Sequence, residues 1–180
     1  VFVGCAPCQG FSAHRKKDSR DDPRNSLMMA FAELCLEFRP DVIVMENVPE
    51  IVVGKYRRYF SAVSSRLEEA GYNLSVDVVD FSLFGVPQRR KRAIVLCSLH
   101  GGLSLPEPVF TQESALTVRH AISHLRPISA GQVDPDDPAH RAPKHTKDIL
   151  ARIRRTPADG GDRRSLPAAE QLRCHASMDN

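Results

Sequence analysis

Over the first 100 residues, apolar runs typical of buried strands alternate with amphipathic segments typical of helices, which constrains the fold to a layered α/β class. The central strand pattern is Asp41 to Met45, a continuous apolar run. Further strand patterns are Val1 to Gly4, Tyr72 to Phe81 and Ala93 to Ser98. The helical patterns are Leu27, Phe31, Leu34, Cys35 and Phe38, ending before Pro40, and Tyr56, Phe60, Val63, Leu67 and Ala70, ending at Gly71. The sequence therefore predicts an α/β sheet.

After Leu99 the pattern changes. A connector with paired glycines and two prolines comes first, and a short helix is predicted near Val118 to Leu125. A loop rich in proline and aspartate follows over Pro127 to Pro143, and another helix is predicted over Lys144 to Arg154. No internal repeat is evident.

A thiol lies on the loop that leaves the first strand, in Gly4-Cys-Ala-Pro-Cys-Gln9. Ligands of open α/β sheets bind beyond the carboxyl ends of the strands, so Cys8 is a candidate nucleophile. A buried structural cysteine is the general alternative. The spacing of Cys5 and Cys8 also fits a redox pair or half of a zinc site, but no second ligand pair follows, and we expect no metal.

Two more motifs lie at strand ends. Glu46-Asn47-Val48 follows the central strand, and Gln88-Arg-Arg-Lys-Arg92 precedes the strand Ala93 to Leu96. In this order, together with Pro7-Cys8-Gln9, they resemble the cytosine-C5 DNA methyltransferases, and the resemblance covers about the first 165 residues. It implies transfer of a methyl group from S-adenosylmethionine to carbon 5 of a cytosine.

The resemblance assigns a role to each motif. Cys8 adds to carbon 6 of the ring, while Glu46, at the partly dry end of an apolar strand, assists at N3. Arg92 binds the cytosine O2, and Arg90 positions the loop and Glu46. Four flanking residues are expected to shape the substrate pocket or tie its loops together: Pro7, Gln9, Asn47 and Val48. Gln88, on the same strand face as both arginines, is expected to join them in substrate binding.

A cytosine in duplex DNA reaches such a pocket only when flipped out of the helix, so double-stranded DNA is the expected partner. The candidates for contacts to its backbone lie in the loop after Cys8: Arg15, Lys16, Lys17 and Arg24. A second basic stretch spans residues 141–164, with eight Lys or Arg and three Asp, and is expected to attract phosphates. A solvated surface of mixed charge is the alternative for both stretches.

The resemblance also divides the chain. Residues 1–100 are expected to be the catalytic half of the methyltransferase domain, which is the C-terminal half of a Rossmann-like S-adenosylmethionine-dependent sheet. Residues 101–180 are expected to be a mostly irregular and helical connector with the start of a target-recognition region. The last two strands of the sheet are expected to pair antiparallel.

The chain shows no Gly-rich turn after an apolar strand of the kind that holds a nucleotide-like donor. The cofactor-binding residues are therefore unknown, and the chain is expected to be a fragment that is inactive alone and depends on the remainder of the enzyme. Two alternatives stay open. A tRNA cytosine-C5 methyltransferase usually has Pro-Phe after its Pro-Cys-Gln, whereas Gly10-Phe11 stands here. The other is a module that binds nucleic acid without catalysis.

The composition bears on the size of the core and on the cellular compartment. The 180 residues are 42% hydrophobic, enough for a core, and the net charge of +3 says little by itself. No run of about 18 apolar residues predicts a membrane span, and no signal peptide is evident. Five scattered cysteines favour a reducing compartment, and we expect the cytoplasm.

Overall fold

A computed structural model describes residues 1–7, 23–54, 56–158 and 160–172. The chain divides into two compact units, Val1–Ile122 and Ser123–Asn180. The boundary predicted between residues 100 and 101 concerns function as well as structure, and it stays a prediction. No helix among the described residues is long and apolar enough to cross a membrane.

The first unit is built on a four-stranded sheet, as the alternating pattern predicts. Its strands are β1 (Phe2–Gly4), β2 (Val42–Asn47), β3 (Asn73–Asp80) and β4 (Lys91–Ser98), in the order β1-β2-β4-β3. β1 and β2 are parallel, whereas β4 runs antiparallel to both β2 and β3. The expected antiparallel pairing of the last two strands is confirmed.

Two helices pack on one face of this sheet. α1 spans Leu27–Phe38 and α2 spans Arg57–Glu69. Side chains at alternate positions of β2 and β4 point toward the helices, and Ile43, Val95 and Cys97 are fully buried there. The side chains of Val44, Ile94 and Leu96 on the opposite face are only half-buried. One face of the sheet is therefore covered, and the other is open among the described residues.

The helical pattern of α2 matches its buried face, but that of α1 does not. Phe60, Val63 and Leu67 of α2 are buried, and Gly71 follows the helix with a φ of +93° that favours glycine. In α1 the buried residues are Met28, Ala32 and Cys35. The side chains of Leu27, Leu34 and Phe38, which share the predicted helical spacing, are 44%, 49% and 63% exposed. α1 thus has two apolar stripes, and only one of them faces the core.

The second unit contains little regular structure. Its helix α4 (Lys147–Arg155) begins at Thr146, whose side chain accepts a hydrogen bond from the Ile149 amide. The short helix α3 (Val118–Ile122) closes the first unit. An isolated bridge between Val133 and Arg141 spans the loop rich in proline and aspartate. Both helices predicted after Leu99 are present, with bounds shifted by a few residues.

Two buried thiols should make the fold less stable as the pH rises into the alkaline range. Burial raises the pKa of Cys35 to about 11 and that of Cys97 to about 12. In the unfolded chain both thiols ionise near pH ~8.5, so the folded state retains protons that the unfolded state has lost. The contribution is fully present below that pH, and it decreases as the pH rises by up to ~1.4 kcal/mol per thiol per pH unit.

We therefore expect the free energy of unfolding, measured by urea titration, to fall more steeply between pH 8.5 and 10 in the native chain than in the variant Cys35→Ala/Cys97→Ala. The variant is less stable at pH 7 because two core side chains are shortened. Its slope against pH, rather than its absolute stability, is the quantity to compare. Equal slopes in the two proteins would show that the thiols ionise to the same extent in the folded and the unfolded state.

Candidate active site

Strand directions bring three of the predicted motif segments to one edge of the sheet. β1 and β2 are parallel, so their carboxyl ends, which lead to Pro7 and Glu46, lie at the same edge. β4 is antiparallel to β2, so its amino end, which carries Arg92, also lies there. The pairing register places Glu46 opposite Ile94, two residues along from Arg92. Glu46 and Arg92 are therefore diagonal neighbours on one face.

The carboxylate of Glu46 contacts both predicted arginines. Its Oε1 lies 2.8 Å from Arg92 Nε and 3.5 Å from Arg90 Nη2. Arg92 also donates from Nη1 to the carbonyl of Lys91 at 2.7 Å, and its side chain is 19% exposed, against 40% for Arg90. Arg92 thus makes the shorter and more buried contact with Glu46. The division of roles between the two arginines stays a prediction.

Asn47 joins the β2 end to the segment that leaves β1. Its side chain is buried, and its Nδ2 donates to the carbonyl oxygen of Ala6 at 3.1 Å. Its Oδ1 accepts from the amide of Val48 at 2.9 Å, so the asparagine also shapes its own turn. Val48 is 9% exposed and belongs to the core, and Pro7 is half-buried. The hydrogen bond to Ala6 fixes the main chain two residues before Cys8.

Several predicted site residues fall elsewhere. Cys8, Gln9, Arg15, Lys16 and Lys17 lie outside the described residues. Arg24 is half-exposed in the turn Pro23–Ser26, directly before α1. Gln88 is exposed in the turn before β4, where its main-chain amide donates to the carbonyl of Val86 at 2.7 Å. The structure therefore brings Glu46, Arg90 and Arg92 into contact, joins Asn47 to Ala6 and leaves Gln88 at the surface.

Asp80 is a polar residue of this region that the motifs do not include. It ends β3, is 9% exposed and accepts hydrogen bonds from Ser82 and from the main chain of Arg90. The sequence signal that could have found it is the pair Asp80 and Ser82 after a strand, because an aspartate often caps a turn two residues on.

The cavity beside the Glu46 cluster has too little room for S-adenosylmethionine. The cavity next to Glu46 is small and almost entirely apolar, with Gly4, Met28, Met45 and Phe60 among its lining residues. A nucleoside-sized donor needs a larger space and polar partners for its ribose and amino-acid groups. Across the described ranges, no group of three or more His, Cys, Asp or Glu side chains could hold a metal ion.

The sequence profile of the C-5 cytosine-specific DNA methylases matches residues 1–162. The chain belongs to this family. Its curated relatives include the Type II methylase M.HgiDII of Herpetosiphon aurantiacus, 34% identical over 97% of this chain and 49% of the relative. Another is the Type II methyltransferase M1.HphI of Haemophilus parahaemolyticus, 33% identical over 96% of this chain and 46% of the relative. This C-5 methylase chain thus spans about half the length of these relatives.

A solved structure supports the same fold. A prophage-encoded E. coli protein described as a DNA modification methyltransferase is 28% identical, with a TM-score of 0.56 over 75% of this chain and 37% of the other. The sheet of this methylase chain is therefore of the Rossmann-like methyltransferase kind, as the sequence resemblance implies.

Proposed function

We propose that this chain is the catalytic half of a DNA cytosine-C5 methyltransferase of the Type II class. The observation that carries the proposal is the Glu46 carboxylate, held by Arg92 and Arg90 at the edge of the sheet where β1 also has its carboxyl end. Family membership supplies the reaction class, and this cluster supplies the groups that act on a pyrimidine. Double-stranded DNA is the proposed substrate, and the cytoplasm is the proposed compartment, in keeping with the scattered cysteines.

The proposed chemistry begins with a ring that does not accept a methyl group unaided. The thiolate of Cys8 adds to carbon 6 of a flipped cytosine, which raises the electron density at carbon 5. Glu46, when its carboxyl group carries a proton, supports this addition by donating that proton or a strong hydrogen bond at N3. An arginine guanidinium donates to the O2 atom, and Arg92 is the proposed donor. S-adenosylmethionine would supply the methyl group when bound by the rest of the enzyme. Loss of the C5 proton to a base or water and cleavage of the bond between Cys8 and carbon 6 would then restore the ring and free the thiolate.

Asn47 and Val48 have proposed supporting roles. Asn47 ties the β2 end to Ala6, and it is proposed to hold the segment before Cys8 close to Glu46. Val48, which belongs to the core, is proposed to shape the pocket wall. Gln88 is proposed to contact the substrate from its exposed turn, and Arg15, Lys16, Lys17 and Arg24 are proposed to contact phosphates.

We further propose that the remainder of a methylase completes this half. Val1, just before β1, and Val3 of β1 are 79% and 69% exposed, and no described strand pairs with the outer edge of β1. The side chains of Val44, Ile94 and Leu96 are half-buried on the open face of the sheet. An apolar edge and face of this kind are suited to further strands and helices. The curated relatives, about twice as long, contain the additional length that such elements need.

A complementation experiment tests both proposals. We define the complemented protein as this chain joined, in the order of the Herpetosiphon relative, to the parts of that relative outside the match. We expect tritiated methyl transfer from S-adenosylmethionine to cytosine in duplex DNA by the complemented protein, and no turnover by the 180 residues alone. Methylation of tRNA but not of DNA would replace the proposed substrate. Robust activity of the chain alone would refute the need for a remainder.

A further inference from the structure

Asp80 is a buried acid at a structural junction. It is the last residue of β3, and one of its carboxylate oxygens accepts three hydrogen bonds. Oδ1 lies 2.8 Å from Ser82 Oγ, 3.1 Å from the Ser82 amide and 3.3 Å from the Arg90 amide. The Ser82 hydroxyl and amide, followed by the Arg90 amide and the Gln112 side chain, lower the pKa of Asp80 despite its burial. The carboxylate is thus an ionised hydrogen-bond acceptor.

Two hydrogen bonds to the main chain of Arg90 close the loop that connects β3 to β4. The Arg90 amide donates to Asp80, and the Arg90 carbonyl accepts from the Phe81 amide at 3.0 Å. Between these points the chain forms the turn Phe81–Phe84, which ends at Gly85 with a φ of +85°. Asp80 and Lys91 are the last ladder pair of β3 and β4. The main chain of Arg90 is therefore fixed on both sides, and one of the two bonds depends on a side chain.

The position of Arg90 affects the Glu46 cluster. Arg90 directly precedes β4 and Arg92 is the second residue of β4, so the two arginines are two positions apart and their side chains point to the same side. Both reach Glu46 Oε1, at 3.5 Å and 2.8 Å. A shift of the Arg90 main chain would move the outer guanidinium directly and would release the first residues of β4. Asp80 lies outside the cluster but determines where the arginine segment starts.

We propose that Asp80 is a positioning residue for the methyl-transfer site: its carboxylate fixes the main chain of Arg90, and through it the two guanidinium groups that contact Glu46. The inference rests on the proposed function, since the reaction is the one proposed above. Asp80 itself does not touch the cytosine. Its effect is on the rate of the step that the positioned groups catalyse, because a displacement of about 1 Å costs up to ~10²-fold in rate.

Three substitutions separate positioning from folding. Asp80→Ala removes the acceptor from its donors, Asp80→Glu sets the carboxylate one methylene further from the main chain, and Asp80→Asn keeps an acceptor oxygen in place. In the complemented protein we expect Asp80→Ala and Asp80→Glu to lower kcat about tenfold or more with KM for DNA within about twofold. Asp80→Asn should keep kcat within about threefold of the unaltered protein.

The matched control is Asp77→Ala, an exposed aspartate of the same strand whose carboxylate accepts only a 3.3 Å hydrogen bond from Ser75 among the described contacts. It should leave kcat unchanged. Amide exchange of the 180-residue chain provides a readout that needs no activity. The Arg90 amide should be protected in the native chain and in Asp80→Asn, and should exchange at least about tenfold faster in Asp80→Glu, whose acceptor is displaced.

The outcomes are distinct. A folded Asp80→Ala or Asp80→Glu protein with unaltered kcat would overturn the positioning role, as would an Asp80→Asn protein as slow as Asp80→Ala. If Asp80→Ala does not fold, the comparison of Asp80→Glu with Asp80→Asn decides in the same way. Absence of methyl transfer by the unaltered complemented protein counts against the proposed function instead, and amide exchange at Arg90 then decides whether Asp80 fixes the main chain.

Discussion

Replacing Cys8 with serine should abolish methyl transfer by the complemented protein and its covalent trapping on duplex DNA that contains 5-fluorocytosine. A thiol is a few per cent ionised near neutral pH and is intrinsically nucleophilic, whereas a serine hydroxyl needs a strong base to attack carbon 6. We expect a loss of about 10³-fold or more, as for other nucleophile replacements. The adduct is measured as a band that survives denaturing electrophoresis, and the methyl group by tritium transfer.

Cys5→Ser is the matched control, because Cys5 is an exposed free thiol only three positions earlier in the chain. It should leave trapping and methyl transfer intact. DNA binding by Cys8→Ser, measured by a mobility shift, should be largely retained, since the phosphate contacts proposed for the basic residues do not involve the thiol. Survival of the trapped band in Cys8→Ser would show that another group is the nucleophile.

The sheet could be predicted from the sequence because its strands and helices have distinct periods. The continuous apolar run of β2 and the stripe of α2 at Phe60, Val63 and Leu67 both lie where the pattern places them, although only alternate residues of β2 are buried. The meeting of Glu46 with Arg92 could also be expected, because their motifs lie at a strand's carboxyl end and an antiparallel strand's amino end. The positions of these motifs relative to the strand ends are therefore sufficient to predict that Glu46 and Arg92 lie close together.

The buried face of α1 could not be predicted in the same way. The helix has two apolar stripes about one residue apart, so periodicity alone does not determine which faces the sheet. The structure selects the stripe of Met28, Ala32 and Cys35, whose small central residue allows close packing. The larger stripe meets the β1 side, where the Phe38 and Phe2 rings lie 5.8 Å apart. Which stripe of α1 is buried depends on how well its side chains pack against the sheet, and a local sequence pattern does not contain that information.

The role of Asp80 could not be predicted from the sequence for a related reason. Its bonds to Ser82 are local and could be expected from the sequence, but its bond to Arg90 spans ten residues. That bond exists only because the turn Phe81–Phe84 closes and β3 pairs with β4 in one register. Residues that are expected to touch substrate can be found from motifs. Residues that position them depend on the turn and on the pairing register of the strands, which a motif does not contain.

Replacing Glu46 with glutamine should slow methyl transfer by about 10²- to 10³-fold while leaving DNA binding nearly unchanged. The side-chain amide has the same shape and keeps an oxygen that can accept from Arg92 Nε, which lies 2.8 Å from Glu46 Oε1. What it loses is an acidic proton, and proton transfer by a positioned group is worth ~10²- to 10⁴-fold. The measurement is single-turnover methyl transfer at saturating DNA, which separates the chemical step from product release.

Two further variants identify the source of that loss. Glu50→Gln changes another half-exposed carboxyl group four residues later, in the turn Pro49–Ile51, and should leave the rate unchanged. Glu46→Ala removes both the proton and the acceptor for Arg92 and Arg90, so it should be slower than Glu46→Gln. If Glu46→Gln is as fast as the unaltered protein while Glu46→Ala is slow, Glu46 only orients the arginines, and the assistance at N3 must come from a different group.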